Sequence, residues 1–357
     1  MVQMARYINR QVLLTFFTVI TVLLLVAVGG RFTGYLQEAL MGKYSPDALL
    51  SIIMYRFPEF IQQLIPFSFF ISTVFVFTRM RSDNELTVIR TTGAGVSKLL
   101  LWICPTIFMM TIMVSILSLE VTPANIAKLD NLFMEQRDRE EFDGVSAGVF
   151  RTLPRSGRVT YTESVSENRQ ILSGVFIAEQ GPEKQITIWA DKGRRYADDV
   201  TGSQFLVLEN GSRYEGFAGL GNYRIMEFGL LTQRIDVARA APKHVNPEAV
   251  PSDQLFLRGD ALSRAELEWR VSLPFLMLIG SIIAVAISHI GPKYDNFLPM
   301  ASGVAIFVGY YLFLIIIKDL LEEGKFAFFW ANFLVHATFF IVSLYLLYKS
   351  ETPRRGQ

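Results

Sequence analysis

The chain has 357 residues, of which 51% are hydrophobic and only 19% charged, with a formal net charge of +1. That balance offers no basic surface for nucleic acid and places the chain in the membrane class. A single cysteine, Cys104, stands inside an apolar run, which excludes an internal disulfide framework and a cysteine-based zinc site.

The first apolar run, Val12 to Gly30, carries no charge, and Phe60 to Thr78 and Leu99 to Leu119 repeat the pattern. At about 1.5 Å of rise per residue, roughly 20 residues cross a hydrocarbon layer of about 30 Å, so each run is expected to be a spanning helix. The first is too long for a cleavable leader, and Gly29-Gly30-Arg31-Phe32 lacks a small-x-small cleavage site. Arg31 closes this span, Lys43 follows it, and Arg56 and Glu59 open the second. The plain reading of such an arginine is snorkelling into headgroups. The functional one is that Arg31, with Lys43, Arg56 or Lys318, meets the phosphates of an anionic lipid. Pro58 and Pro66 bracket Glu59 to Gln63, which predicts a kinked and partly hydrated helix start. Phe67, Phe70, Phe307, Tyr310 and Tyr311 crowd the second and fifth spans. Aromatics of this kind usually pack or face lipid, but a lipid-binding cavity would need such a lining.

Between the second and third runs lies RMRSDNELTVIRTTGAGVSK, residues 79–98. Ser82-Asp83-Asn84-Glu85 has the spacing of a capping box, with Ser82 at the cap and Glu85 reaching back. Leu86 and Ile89 then share one helical face, and Gly93-Ala94-Gly95 ends the turn. The expected element is a short amphipathic helix over 82–92. It could rest on headgroups. Asp83 and Glu85 at its start would repel anionic lipid and would suit the helix dipole, which favours a protein contact.

After the third run the composition changes. Glu120 to Phe142 reads as a polar helix running off the span. From Val145 the runs GVFRTL, RVTYTESV, ILSGVFIAE, ITIWADKG, QFLVLENG, SRYEGF and NYRIMEFGLL recur between Gly, Ser, Asn and Asp. That is the pattern of an all-β domain. Ala240 to Pro251 contains three prolines and reads as a linker. Val271 to Ile287, Phe297 to Ile317 and Phe326 to Tyr348 then give three further spans. The expected organisation is spans 1 to 3 over 1–120, a β-domain with its flanking helix and linker over 121–264, and spans 4 to 6 over 265–357.

Lys and Arg in the short loops number ten on the side of the N-terminus against five on the other, which predicts both termini inside and the β-domain outside. Neither G-x-x-x-x-G-K-[ST] nor H-E-x-x-H occurs. His244, His289 and His336 lie in a linker, at a helix end and within a span, where packing or interfacial roles are expected. An enzyme is not indicated. The apolar runs carry almost no midplane charge, which leaves an ion-coupled transporter little to work with. A non-transporting scaffold or mechanotransmitter coupled to a cytoplasmic ATPase remains open on these grounds.

Four stretches together carry a family resemblance: ARYINRQVLLTF at the N-terminus, PEFIQQLIPFS at the start of the second span, SDNELTVIRTTG, and NGSRYEG with RAELEWRVSLP. In that order, on this topology, the chain resembles the lipopolysaccharide-export permease family LptF/LptG along essentially its whole length; the last pair of segments looks more like the F subunit. The resemblance implies six spans with an inserted periplasmic β-jellyroll, in the inner membrane of a Gram-negative bacterium. It implies a second permease subunit (LptG-like), a cytoplasmic ATPase dimer (LptB-like) that holds ATP and Mg, and periplasmic partners (LptC-like and LptA-like). No cofactor or metal is implied for this chain. The island becomes a coupling helix with Ser82, Asp83, Glu85, Leu86, Ile89 and Arg90 as docking residues. The substrate implied is lipopolysaccharide, taken through gates at the first and fifth spans. Arg213 in NGSRYEG is either a strand-end arginine paired with Glu215 or Glu209, or a gating or partner contact.

Overall fold

In the computed structural model, residues 2–40, 48–91, 93–143, 148–153, 158–166, 171–180, 185–197, 204–217, 224–235, 246–290, 297–325 and 331–351 are described. Six helices are long and apolar enough to cross a membrane. They are α1 (Val2–Leu40), α2 (Ala48–Ser82), α4 (Val96–Ile116), α7 (Ala261–Ser288), α8 (Phe297–Glu322) and α9 (Ala331–Glu351), with the short α3 (Glu85–Thr91) between α2 and α4. A π-helical turn, Leu117–Val121, joins α4 to α5 (Thr122–Asp143) without a break, as the polar run after the third span predicted. The short α6 (Ser252–Arg258) leads into α7. These helices, α5 as far as residue 132, belong to one compact unit, residues 1–132 with 245–357, and residues 133–244 form a second.

In the helical unit α7 is central, packing against α2, α4, α8 and α9. Its buried face carries small and hydroxyl residues, among them Ser272, Gly280, Ser281, Ala284 and Ala286. Such residues let backbones approach where lipid gives apolar side chains no reason to prefer each other. Gly280 shows the closeness, since a Cβ there would lie 2.7 Å from the Phe307 ring of α8. By contrast, only 11% of the apolar window of α1 is buried. What is fixed is its N-terminal part. Ile8, Val12 and Phe16 are buried, and Asn9 donates to the carbonyls of Ala5 (2.7 Å) and Trp102 (2.8 Å) while accepting from the Thr106 hydroxyl. That amide is satisfied on both sides and pins α1 to α4.

The second unit is the expected inserted all-β domain. Strands β1 (Arg151–Leu153), β2 (Arg158–Val165), β3 (Ile171–Gln180), β4 (Gln185–Ala197), β5 (Gln204–Glu215) and β6 (Arg224–Ile235) form one antiparallel sheet in sequence order. The connectivity is an up-and-down meander, and no Greek-key crossover occurs among the described residues. The runs QFLVLENG, which ends on the turn-like Asn210-Gly211, and SRYEGF belong to one strand as far as Glu215: β5 continues through Asn210 at φ 50°. The reason lies in a crease. Across β2 to β6 the ladder omits the pairings that would join Glu163, Gly174, Asp191, Asn210 and Gly229 in a line, and Gly174 takes φ 60°. Side chains on a strand alternate faces. At the crease the alternation slips, so Leu172 is buried on one side and Val175 and Ile177 on the other. Two leaves thereby turn one apolar face inward around Leu172, Val175, Ile177, Ile188, Ala190 and Leu208.

Candidate functional site

At the end of the bundle where the chain leaves for the β-domain and returns, a polar knot surrounds Arg270. This side chain is 2% exposed. A guanidinium carries five N–H donors and cannot shed its charge, so in such a place every donor needs an acceptor. Each has one. Nε donates to Glu266 Oε1 at 2.8 Å, Nη1 to the Val250 carbonyl and the Ser252 hydroxyl at 2.9 Å, and Nη2 to the carbonyls of Pro247 and Glu248 at 3.1 and 3.0 Å. The carbonyl of Arg270 accepts from Ser118 in the π turn, and Ser252 donates to the carbonyl of Leu119. A π turn widens the helix by one residue and is common where function needs local geometry. Here it aligns the departing chain with the returning one. The proline-rich segment read as a linker is anchored over 246–252; residues 240–245, with His244, lie outside the described residues.

Glu266 continues the knot into α8. Its second oxygen accepts from Lys318 Nζ at 3.1 Å, and Lys318 also lies 3.6 Å from Glu322 and 5.3 Å above the Trp269 ring. Arg56 pairs with Glu59 at 2.7 Å and reaches Glu248 at 4.0 Å. The Glu248 carboxyl, outside the spans, is raised above the usual carboxylate range by burial first and then by the negative charges of Glu266 and Glu59.

Glu59, Glu248, Glu266, Trp269, Lys318 and Glu322 line a cavity of about 300 Å³ whose walls come from α2, α5, α7, α8 and the turn at Glu248. The helix α2 runs continuously through Pro58 and Pro66, and Glu59, Gln62 and Gln63 project into this space, with Gln62 fixed by the Thr122 hydroxyl at 2.8 Å. A second, apolar space of about 260 Å³ shares Gln63 and Tyr311 with the first and is walled by Phe67 and Phe307. Of the aromatic set singled out from sequence, Phe67, Phe307 and Tyr311 line these spaces. Phe70 and Tyr310 are buried in the helix core instead, Phe70 4.6 Å from Phe307 and Tyr310 hydrogen-bonded to His336. Of the basic set, Lys318 lines this cavity, Arg56 pairs with two of its lining acids, Glu59 and Glu248, Arg31 is exposed on α1, and Lys43 lies outside the described residues. Glu266, Trp269 and Arg270 had not been singled out as site residues. A charged i,i+4 pair opening an otherwise apolar helix was the available signal.

At the opposite end α3 sits differently from its sequence reading. Ser82 still belongs to α2, Asp83 donates its N–H to the Arg79 carbonyl, and the break comes at Asn84, which takes φ 62°. The helix therefore starts at Glu85 and spans seven residues. Asparagine tolerates the left-handed region, which is why the break falls there and not at Ser82. Glu85 accepts from the Tyr7 hydroxyl at 3.2 Å, tying α3 to α1. Leu86 and Ile89, both 2% exposed, are used up in the chain's own core, while Asp83, Thr87, Val88, Arg90 and Thr91 face outward. The far side of the island is held by Lys98, which donates to the Gly93 carbonyl at 2.9 Å, and by Glu351 of α9, which accepts from the Ser97 N–H at 3.0 Å. In the β-domain Arg213 lies on the apolar face, registered against Ile188 and Met226, and is ion-paired with Glu215.

The family model described as "Lipopolysaccharide export system permease LptF/LptG" matches residues 6–349. Similar curated proteins include the lipopolysaccharide export system permease protein LptF of Escherichia coli K12, 23% identical over 325 residues, covering 90% of this chain and 87% of that protein. The LptF protein of Shigella flexneri is similar to the same extent.

Proposed function

This chain belongs to the lipopolysaccharide export permease family LptF/LptG, and from that premise we propose that it is one transmembrane subunit of a lipopolysaccharide exporter driven by a separate cytoplasmic ATPase. It lies in the inner membrane with both termini and α3 in the cytoplasm and the β-domain in the periplasm. A second permease subunit completes the transmembrane pathway, and ATP and Mg belong to the ATPase dimer. Lipopolysaccharide leaves the membrane through a cavity gated by α1 and α8, and passes by way of the β-domain to further periplasmic β-proteins. Arg213 and its ion pair with Glu215 would act in that transfer or in the contact with the next protein.

The family match along nearly the whole chain, on six spans, is the observation that carries this reading. The geometry supports its parts. A short helix with Asp83, Val88 and Arg90 facing outward, rooted by Leu86 and Ile89, can take a push from a partner and pass it on. The Tyr7 bond carries that push to α1. At the other end, Lys318 and Arg56 offer charge-assisted donors to lipid phosphates beside an aromatic wall for acyl chains. Arg31 and Lys43 would serve as rim contacts for the same phosphates.

Native mass measurement after gentle solubilisation tests the proposal. The expected particle holds this chain, a second six-span subunit, an ATPase dimer and bound lipopolysaccharide. A particle with an ATPase but neither second subunit nor glycolipid would favour the scaffold reading.

A further inference from the structure

Resting on the reading of Lys318 as a phosphate contact, a further property follows from how that lysine is held. Its ammonium lies between Glu266 at 3.1 Å and Glu322 at 3.6 Å, with the Trp269 ring below. The charge is therefore already neutralised before any ligand arrives. Glu266 cannot turn away, because its other oxygen is bonded to Arg270, whose remaining donors are all engaged. Glu322 has no such restraint and its side chain is 38% exposed. Arg56 is occupied in the same manner by Glu59 and Glu248. Among the described lining residues five are acidic and one is basic.

Such a cavity is a poor host for a single phosphate. A monoanionic lipid headgroup would exchange one charge-assisted pair for another and would then face the displaced carboxylate at close range. Within a low-dielectric wall that repulsion is not screened away. A lipid with two or more phosphates gains a pair at Lys318 and a second with Arg56, which stands behind the lining acids Glu59 and Glu248, against the same kind of loss. We infer that Glu266 and Glu322 are specificity-determining residues: by clamping Lys318 they keep the monophosphate lipids of the surrounding bilayer out and admit a glycolipid with at least two phosphates. Glu266 is the fixed half of the clamp and Glu322 the half that moves.

The test uses the intact transporter, with its partner subunits, in nanodiscs of phosphatidylglycerol carrying a small fraction of lipopolysaccharide. A photoreactive side chain replaces Ile315, an uncharged residue of the cavity lining, and captured lipids are weighed by mass spectrometry. In Glu266→Gln and Glu322→Gln the ratio of captured phosphatidylglycerol to lipopolysaccharide should rise about tenfold, as expected from losing one charged partner. Glu322→Gln removes no partner of a buried arginine, so it carries the test even where Glu266→Gln fails to fold. An unchanged ratio in Glu322→Gln overturns the inference while leaving Lys318 in place. Lys318→Gln separates the two layers: loss of lipopolysaccharide capture supports the phosphate contact, and full retention overturns that reading together with the inference built on it.

Discussion

Helices α1 and α7 are apolar to a similar degree, with mean hydropathy of 2.7 and 2.3 over their best windows, yet 11% of one window is buried inside the chain and 72% of the other. Hydropathy reports the solvent a helix tolerates and says nothing about which of its faces has a protein neighbour. The neighbour is announced by other residues. On α7 the small and hydroxyl side chains are buried, and Glu266 and Arg270 lie in a satisfied network. On α1 a Cβ at Gly29, Gly30 or Gly34 would meet nothing within 4 Å. The difference teaches that α7 is the most enclosed of the six spans, while α1 is anchored at its Tyr7–Phe16 end and leaves most of its apolar window exposed.

Breaking the fixed side should have the largest effect. Arg270→Leu leaves Glu266 and three backbone carbonyls without their donor, and a loss of about 3–5 kcal/mol is expected. Thermal unfolding in detergent should show a large drop or no folded protein; a wild-type transition would mean the knot contributes nothing. Next, Gly280→Leu drives a side chain into Phe307 and should cost about 1–3 kcal/mol by parting α7 from α8. The free side should behave oppositely. Leu25→Ala, at a position 69% exposed on α1, should change the stability of the isolated chain by less than about 0.5 kcal/mol. A larger change would show that α1 has a neighbour within its own chain at Leu25 as well as along Ile8 to Phe16.

The smallest effect depends on pH. Glu248 has its carboxyl raised by burial and by Glu266 and Glu59. A carboxyl raised in the folded state favours folding when protonated, so its contribution is full below the ordinary value of 4.5 and is lost as pH rises through the raised one. Glu248→Gln should therefore be tolerated at neutral pH, and its stability relative to wild type should fall as the pH is lowered toward that value. A pH-independent difference would contradict the raised carboxyl.

Spans, insert and island were legible because each rests on local composition: uncharged runs of membrane length, strand-like runs between turn residues, and charge between two apolar stretches. The crease was not. Asn210-Gly211 looks like a turn when read alone, and only its register with Asp191 and Gly229 makes it one point on a bend. Nor was the anchoring of 246–252, since the prolines there signal a linker and the carbonyls that Arg270 binds have no sequence signature. The start of α3 was misplaced by two residues because Ser82 suits a cap as well as it suits the last turn of α2. Lys318 stood out through its charge and Glu322 lies four residues on in the same helix, but Glu266 was visible as its partner only once α7 and α8 had been brought together.

The central claim, that α3 receives work done elsewhere and delivers it to the spans, is tested most directly by Glu85→Arg in the reconstituted exporter. The substitution removes the acceptor of the Tyr7 bond and reverses a charge on the exposed end of the island. ATP hydrolysis and lipopolysaccharide release should be followed in the same vesicles. The account predicts that release falls at least tenfold, either with the ATPase lost from the complex or with hydrolysis continuing unproductively. Normal assembly together with normal release would contradict it.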